Sequence, residues 1–221
     1  MEINIQKRVL EANESMADKN RRLFKEKGVF VLNMMSSPGS GKTETLCKTL
    51  RRLMPEVATG VIVGDICTRN DADRLETTGA AVVQINTDEF GGDCHLAAHL
   101  IEKSALTLDL AALDLLIVEN IGNLVCPAEF DIGENAKAVV LSVTEGEDKP
   151  LKYPLMFQVA DIAILNKIDL LPYLDFDARE AVDNMKKVHP GLPVFELSAK
   201  TEEGMEPWVQ WLKDSVAKKG H

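Results

Sequence analysis

The chain reads as an α/β protein, a mainly parallel sheet with helices on both faces and a helical appendage at its N-terminus. Three observations predict this. Apolar segments of strand length alternate with segments of helical character along the sequence. Most of these strands are apolar throughout, the mark of strands buried on both sides. Each polar cluster follows the carboxyl end of a strand, where such sheets collect their ligands.

Residues 1–27 read as a helix packed on the domain. Ile5, Val9, Ala12, Met16, Leu23 and Phe24 recur at near-helical spacing among many charges. Gly28 stops it, and residues 28–221 form the domain. Val29 to Leu32 is the first strand, followed by a glycine-bearing turn and a helix from Glu44 to Leu53. Val57 to Val63, Ala80 to Ile85, Leu113 to Val118, Ala138 to Val143, Ile162 to Leu165 and Val194 to Leu197 read as further strands. Helices are expected around Asp71 to Thr78, Cys94 to Leu106, Leu151 to Val159, Asp177 to Val188 and Met205 to Lys218.

The 221 residues suit one sizeable domain, and 45% hydrophobic content is ordinary for a chain that buries a core. A formal charge of −10 argues against wholesale nucleic-acid binding. No apolar run has the length of a membrane span, and the polar start, Met1 to Arg8, has no signal pattern. The four cysteines lack paired spacing, which favours reduced thiols or metal ligands over a disulfide framework. Together these features point to a cytoplasmic protein without nucleic-acid or membrane partners.

Ser36-Ser37-Pro38-Gly39-Ser40-Gly41-Lys42-Thr43 lies between a strand and a helix, the context of a phosphate-binding loop. Backbone N–H groups of Gly39, Ser40 and Gly41 converge on an anion there, aided by the helix dipole. Lys42 reaches the β- and γ-phosphates, and the Thr43 hydroxyl ligates Mg²⁺. Ser36 stands where the usual pattern begins with Gly.

Asn166-Lys167-Ile168-Asp169 follows a later strand, and Ser198-Ala199-Lys200 follows the next. The Asp169 carboxylate can accept hydrogen bonds from both N1–H and the 2-amino group of guanine. Adenine has neither donor and would leave the carboxylate unpaired. The Lys167 stem can cover the base, and Asn166 can brace the loop or reach N7. Ser198, Ala199 and Lys200 resemble the further base-contacting element of GTPases. The nucleotide expected is GTP.

Asp65 and Glu119, each at a strand end, take the two acidic positions that bind Mg²⁺ or orient the attacking water, and Gly122 offers a backbone N–H to the γ-phosphate. E-x-x-G replaces the commoner D-x-x-G. No side chain stands out as a catalytic base or arginine finger, so unaided hydrolysis is expected to be slow.

Cys94-His95 and Cys126 emerge from the same sheet edge, and His99 follows His95 by one helical turn. Thiolate and imidazole ligands suit Ni²⁺ or Zn²⁺ and not Mg²⁺. Buried thiols with a capping histidine would give the same pattern. A two-fold interface would duplicate the set and place metal between subunits.

The phosphate loop, Gly64-Asp65, Asn70-Asp71-Ala72-Asp73-Arg74, Cys94-His95-Leu96, the run from Glu119 to Pro127 and Glu145-Gly146-Glu147-Asp148-Lys149-Pro150 together resemble the nickel-incorporation GTPases of [NiFe]-hydrogenase maturation. These are the HypB family of the SIMIBI class of P-loop GTPases. The resemblance covers nearly all of the chain from Val29. It implies a P-loop GTPase that forms a homodimer on binding GTP, with metal held at the interface by Cys94, His95 and Cys126. It also implies partners in a hydrogenase precursor and other nickel-insertion accessory proteins. His99 matches a family histidine, and Lys149 matches a position that reaches the partner subunit's nucleotide. The cysteine motif or histidine-rich segment that many members carry at the N-terminus is not found here, so metal handling is expected at the GTPase-domain site. Ala97 stands where the family usually has an acidic residue. Two other readings stand beside this one, a urease or cobalamin-enzyme maturation GTPase and a metal-binding module whose nucleotide is structural. A small-molecule phosphotransferase would share the phosphate loop but not N-K-x-D.

Overall fold

The computed structural model describes residues 5–54, 56–65, 69–86 and 95–218. The strands are β1 (Phe30–Ser36), β2 (Thr59–Asp65), β3 (Ala81–Asn86), β4 (Leu115–Gly122), β5 (Ala136–Ser142), β6 (Ile162–Asn166) and β7 (Val194–Glu196). They form one seven-stranded sheet in the order β3-β2-β4-β1-β5-β6-β7. Every neighbouring pair is parallel. The chain enters at the central β1, winds outward to β3, returns through β4 and then builds the other half. β1 therefore sits where the winding reverses, and the crevice at its carboxyl end is the expected place for a ligand.

Helices α1 (Ile5–Lys27), α2 (Lys42–Leu53), α3 (Asn70–Glu76), α4 (Ala98–Ala105), α5 (Cys126–Glu129), α6 (Lys149–Lys152), α7 (Pro154–Gln158), α8 (Ala178–Val188) and α9 (Met205–Lys218) connect or flank the strands. The two-residue period of β1 divides the core. Leu32 and Met34 pack with Leu46 and Leu50 of α2 and Trp208 of α9 on one face. Val31 points to the other, toward Phe24 of α1 and Ile101 of α4. Farther along that second face, Met35 meets Phe157 of α7 and Met185 of α8.

Three elements differ from the sequence reading. β4 continues past Val118 to Gly122, so Glu119 lies inside a strand and is buried. The helix expected from Cys94 begins only at Ala98, which puts His95 at a bend before it. The helix expected over residues 151–159 is two short pieces, because Pro154 has no N–H with which to continue the first.

The inward face of α1 also differs. Val9 is 51% exposed and Ala12 is exposed, whereas Asn13, Ala17, Asn20 and Phe24 are buried. Two amides occupy the stripe where apolar residues were expected. The neighbouring surface presents backbone polar groups that need partners, and apolar side chains could not supply them.

Candidate functional site

The first half of the site is the loop from β1 to α2. Gly39 and Gly41 adopt positive φ, +77° and +89°, which turns the chain sharply before Lys42 opens the helix. A Cβ on Gly41 would lie 2.5 Å from Asn166 Nδ2. Ser36 ends β1 fully buried, and its hydroxyl accepts a hydrogen bond from Lys42 Nζ at 3.2 Å. The unusual serine therefore holds the lysine over the loop. Ser37 donates a short hydrogen bond to Glu145, whose other carboxylate oxygen accepts from Ser142 N at 2.9 Å. That ties the loop to the end of β5.

Glu119 reaches this loop from β4. Its Oε1 accepts from Thr43 Oγ1 at 2.6 Å and lies 3.9 Å from Lys42 Nζ. Burial pushes its carboxyl above the ordinary value, opposed by the Lys42 charge and the Thr43 hydrogen bond. Glu119 Oε2 and Ser40 Oγ are buried with no hydrogen-bond partner. A divalent cation beside phosphate would use such a carboxylate oxygen, so the donor set fits Mg²⁺. A Cβ on Gly122 would come within 3.1 Å of the Pro38 backbone, so the end of β4 lies against the loop. Asp65 closes β2, paired in register with Asn86.

A cleft of about 490 Å³ opens over these groups, and Asp71 and Arg74 of α3 also line it. Sequence reasoning did not assign Arg74 a role. It forms a short ion pair with Glu44 and lies 3.6 Å from Asp71, so its charge is already partnered.

A second cavity of about 250 Å³ adjoins the first, sharing Gly41, Glu44 and Lys167 with it. Asn166, Asp169, Ala199 and Lys200 line it. Asn166 Nδ2 donates to Ser40 O at 2.9 Å, and its Oδ1 accepts from Lys167 N at 2.7 Å and Ala199 N at 3.1 Å. Lys167, at φ +66°, sends Nζ back to Gly39 O at 2.7 Å. Ser198 Oγ donates to Asp169 Oδ1 at 2.5 Å. The N-K-x-D and S-A-K loops are thus braced against each other and against the phosphate loop. One elongated crevice has an anion cradle at one end and a carboxylate-bearing slot at the other, the layout that a nucleotide requires.

Lys149 opens α6 with Nζ 5.4 Å from the Tyr153 ring centroid, and it lines neither cavity.

Of the candidate metal ligands, Cys94 lies outside the described residues, as does Cys67. Cys126 opens α5 and is half-buried. The His95 ring stacks on Phe130, just beyond α5, with centroids 3.6 Å apart. The two segments that carry His95 and Cys126 are therefore in contact. His99 is exposed on α4, and because α4 starts after His95 the two histidines do not share a helical face. No cluster of three or more metal-binding side chains occurs among the described residues. Cys47, on the inner side of α2, belongs to the core, and burial pushes its thiol up. No helix among the described residues is long and apolar enough to cross a membrane.

The nucleotide-binding domain of the CobW/HypB/UreG family matches residues 30–196. Hydrogenase maturation factor HypB of Rhizobium leguminosarum bv. viciae is 50% identical over 217 residues, 98% of this chain and 72% of the relative. The crystal structure of HypB from Helicobacter pylori in complex with nickel superposes with a TM-score of 0.87 at 38% identity, covering 94% of this chain and 96% of that one. That of the hydrogenase maturation factor HypB from Archaeoglobus fulgidus gives 0.86 at 36% identity, covering 93% and 99%. With a family model matching most of the chain and identity of this extent, the chain belongs to the HypB family of hydrogenase maturation factors.

Proposed function

We propose that this chain hydrolyses GTP to control the binding and delivery of nickel during [NiFe]-hydrogenase maturation. The observation that carries the reading is the course of β4 and its exit. Glu119 is bonded to Thr43 of the phosphate loop, and the same segment continues through Gly122 to Cys126 at the start of α5. A change at the γ-phosphate needs no long relay to reach a thiolate.

In this reading the N–H groups of the Gly39–Gly41 turn and Lys42 hold the phosphates. Thr43, Glu119 and Asp65 hold Mg²⁺, which neutralises developing charge when bound. Asp169 selects guanine, with Lys167 along the base and Ser198, Ala199 and Lys200 bracing the slot. Arg74 is engaged by Glu44 and Asp71, which supports slow unaided turnover.

Nickel is cargo, held by Cys94, His95 and Cys126. The nickel complex of the Helicobacter pylori relative supports that choice, and Zn²⁺ suits the same ligand types. His99 is a further ligand only if the segment before α4 rearranges. GTP draws two copies into a homodimer that places the metal between them, with Lys149 reaching the partner's nucleotide. Val125, 50% exposed beside Cys126, supports a contact at that place. Hydrolysis relaxes the dimer and passes nickel to a hydrogenase precursor or another accessory protein. Binding energies are reciprocal, so nickel must alter GTP affinity by the factor by which GTP alters nickel affinity.

The test is nickel titration at fixed protein concentration with GDP and with a non-hydrolysable GTP analogue, for wild type and Cys126→Ala. Different affinities in the two states, abolished in the variant, support the reading. Equal affinities would sink it.

A further inference from the structure

We propose that α1 is a clamp for the metal site, with Asn13 and Asn20 as positioning residues that fix the spacing between the segments of His95 and Cys126. The proposal rests on the metal reading above and assigns α1 a part in it. Asn13 Oδ1 accepts from Ala98 N at 2.9 Å, and its Nδ2 donates to Asp131 O at 2.7 Å. Asn20 Nδ2 donates to Ala98 O at 2.8 Å and to Ile132 O at 3.0 Å. Each amide thus bridges the same two pieces of chain. Ala98 begins α4 shortly after His95. Asp131 and Ile132 follow Phe130, the ring on which His95 stacks.

Packing around these bonds leaves little slack. Asn20 is fully buried, and Ala17, one turn earlier on the stripe, is 1% exposed. Gly133 lies so close beneath α1 that an added Cβ would meet Ala17 O and Asn20 Cβ at 2.6 Å. Arg21 closes the lower end with a 2.6 Å ion pair to Asp131.

A solely space-filling role does not account for Asn20. Its Oδ1 is buried without a hydrogen-bond partner, a cost that an apolar residue of similar size would avoid. What the position uses is the pair of N–H donors, spanning two carbonyls from separate elements. Supports behind metal ligands commonly change metal affinity by about 10–100-fold when removed. α1 lines neither cavity of the crevice, so its loss should not reach the nucleotide.

The experiment compares wild type, Asn20→Leu, Asn13→Ala and Cys126→Ala as full-length chains. Ni²⁺ affinity is measured by competition with a chromophoric chelator, and GDP affinity and thermal midpoint are measured on the same preparations. Trp208→Phe, which loses the buried 2.9 Å bond to Thr49 on the opposite face, controls for destabilisation alone. The expected result is nickel affinity reduced about tenfold in Asn20→Leu and less in Asn13→Ala, with GDP affinity unchanged and Trp208→Phe like wild type for nickel. If Asn20→Leu does not fold, the same split in Asn13→Ala decides. Wild-type nickel affinity in the folded asparagine variants, with Cys126→Ala impaired, overturns the clamp alone. An unimpaired Cys126→Ala overturns the metal reading and the clamp with it. Loss of nickel affinity in Trp208→Phe equal to that in Asn20→Leu also overturns the clamp, because stability alone would then explain it.

Discussion

Glu119 and Asn120 are consecutive in β4, yet their side chains leave the sheet on opposite faces. Glu119 accepts from Thr43 at 2.6 Å in the phosphate loop. Asn120 accepts from the backbone N of Leu96, the residue after His95, at 3.3 Å and donates to Asn33 at 3.1 Å. The register of β4 against β1 then slips between the pairs Met34–Glu119 and Ser36–Gly122. A bulge at this point re-aims the strand just before it meets the phosphate loop. One peptide unit separates the side chain facing the nucleotide crevice from the side chain facing the segment of His95.

Burial makes Glu119 the source of a pH effect. A carboxyl whose folded value is raised holds its proton more tightly in the folded chain than in the unfolded one. Its contribution to stability is complete below the ordinary carboxylate range and is lost as pH rises through the raised folded value. The nucleotide-free protein should therefore lose stability on this account as pH rises across that window. Glu119→Gln should flatten the slope and, at neutral pH, stabilise by about 1 kcal/mol, a shift of a few degrees. Glu134 is also raised by burial, so some slope should remain. Thermal melts of both proteins across the acidic to neutral range measure this. GTP turnover should fall in the same variant.

Gly41→Ala tests the join between the phosphate and base loops. The substitution forces an L side chain into φ +89° and drives a methyl into Asn166, the amide that braces three backbone groups. Backbone strain and a displaced amide together cost about 2–3 kcal/mol in the binding-competent state, or roughly 100-fold in GTP affinity. Titration with a fluorescent nucleotide reads the loss directly. Affinity equal to wild type would show that the loops are not coupled in this way.

Asp169→Asn tests nucleotide choice. Replacing the carboxylate removes the charged acceptor for N1–H and the 2-amino group, and the new amide opposes its own donors to guanine's. GTP affinity should fall by about 10–100-fold. ATP should not gain, whereas a purine with a 2-carbonyl should, because the amide can donate to it. Competition binding with the three nucleotides separates these outcomes.

How far these features were legible in the sequence depended on where their partners lay. The phosphate loop and N-K-x-D carry their chemistry in short contiguous runs, so the ligand edge of the sheet could be placed from them, whereas the strand order could not. Ser36 looked like a departure because its partner, Lys42, is chosen by the closure of the loop and not by the pattern. The apolar run of β4 hid its true end: Glu119 and Asn120 are polar and buried, and only pairing with β1 shows that the strand continues. Apolar residues at helical spacing do not mark the inward face of α1. Its inward stripe runs through Asn13 and Asn20 because the surface beneath offers carbonyls, which a one-dimensional pattern does not display. His95 and His99 would share a helical face only in a helix beginning at Cys94, and α4 begins at Ala98.

The last prediction concerns the link that Asn120 makes between β4 and the residue after His95. Leu96, whose N–H it holds, is fully buried, and its side chain fills the space above Gly64, where an added Cβ would approach within 2.7 Å. Gly64 immediately precedes Asp65, so both acidic segments of the crevice press on the residue beside His95. Asn120→Leu keeps the number and branching of side-chain heavy atoms but deletes the acceptor for Leu96 N and the donor to Asn33. Each remote site should retain its own ligands, so GTP and nickel should still bind. What should shrink is the difference in nickel affinity between GDP and GTP-analogue states. Couplings of this kind are typically about 1–3 kcal/mol, so a wild-type ratio of roughly 5–150 should fall in the variant, with the part carried by the tether from Glu119 to Cys126 remaining. Nickel titrations in both nucleotide states, for wild type and variant side by side, give the two ratios. A variant that keeps the full wild-type ratio would move the coupling away from Asn120 and onto the tether from Glu119 to Cys126.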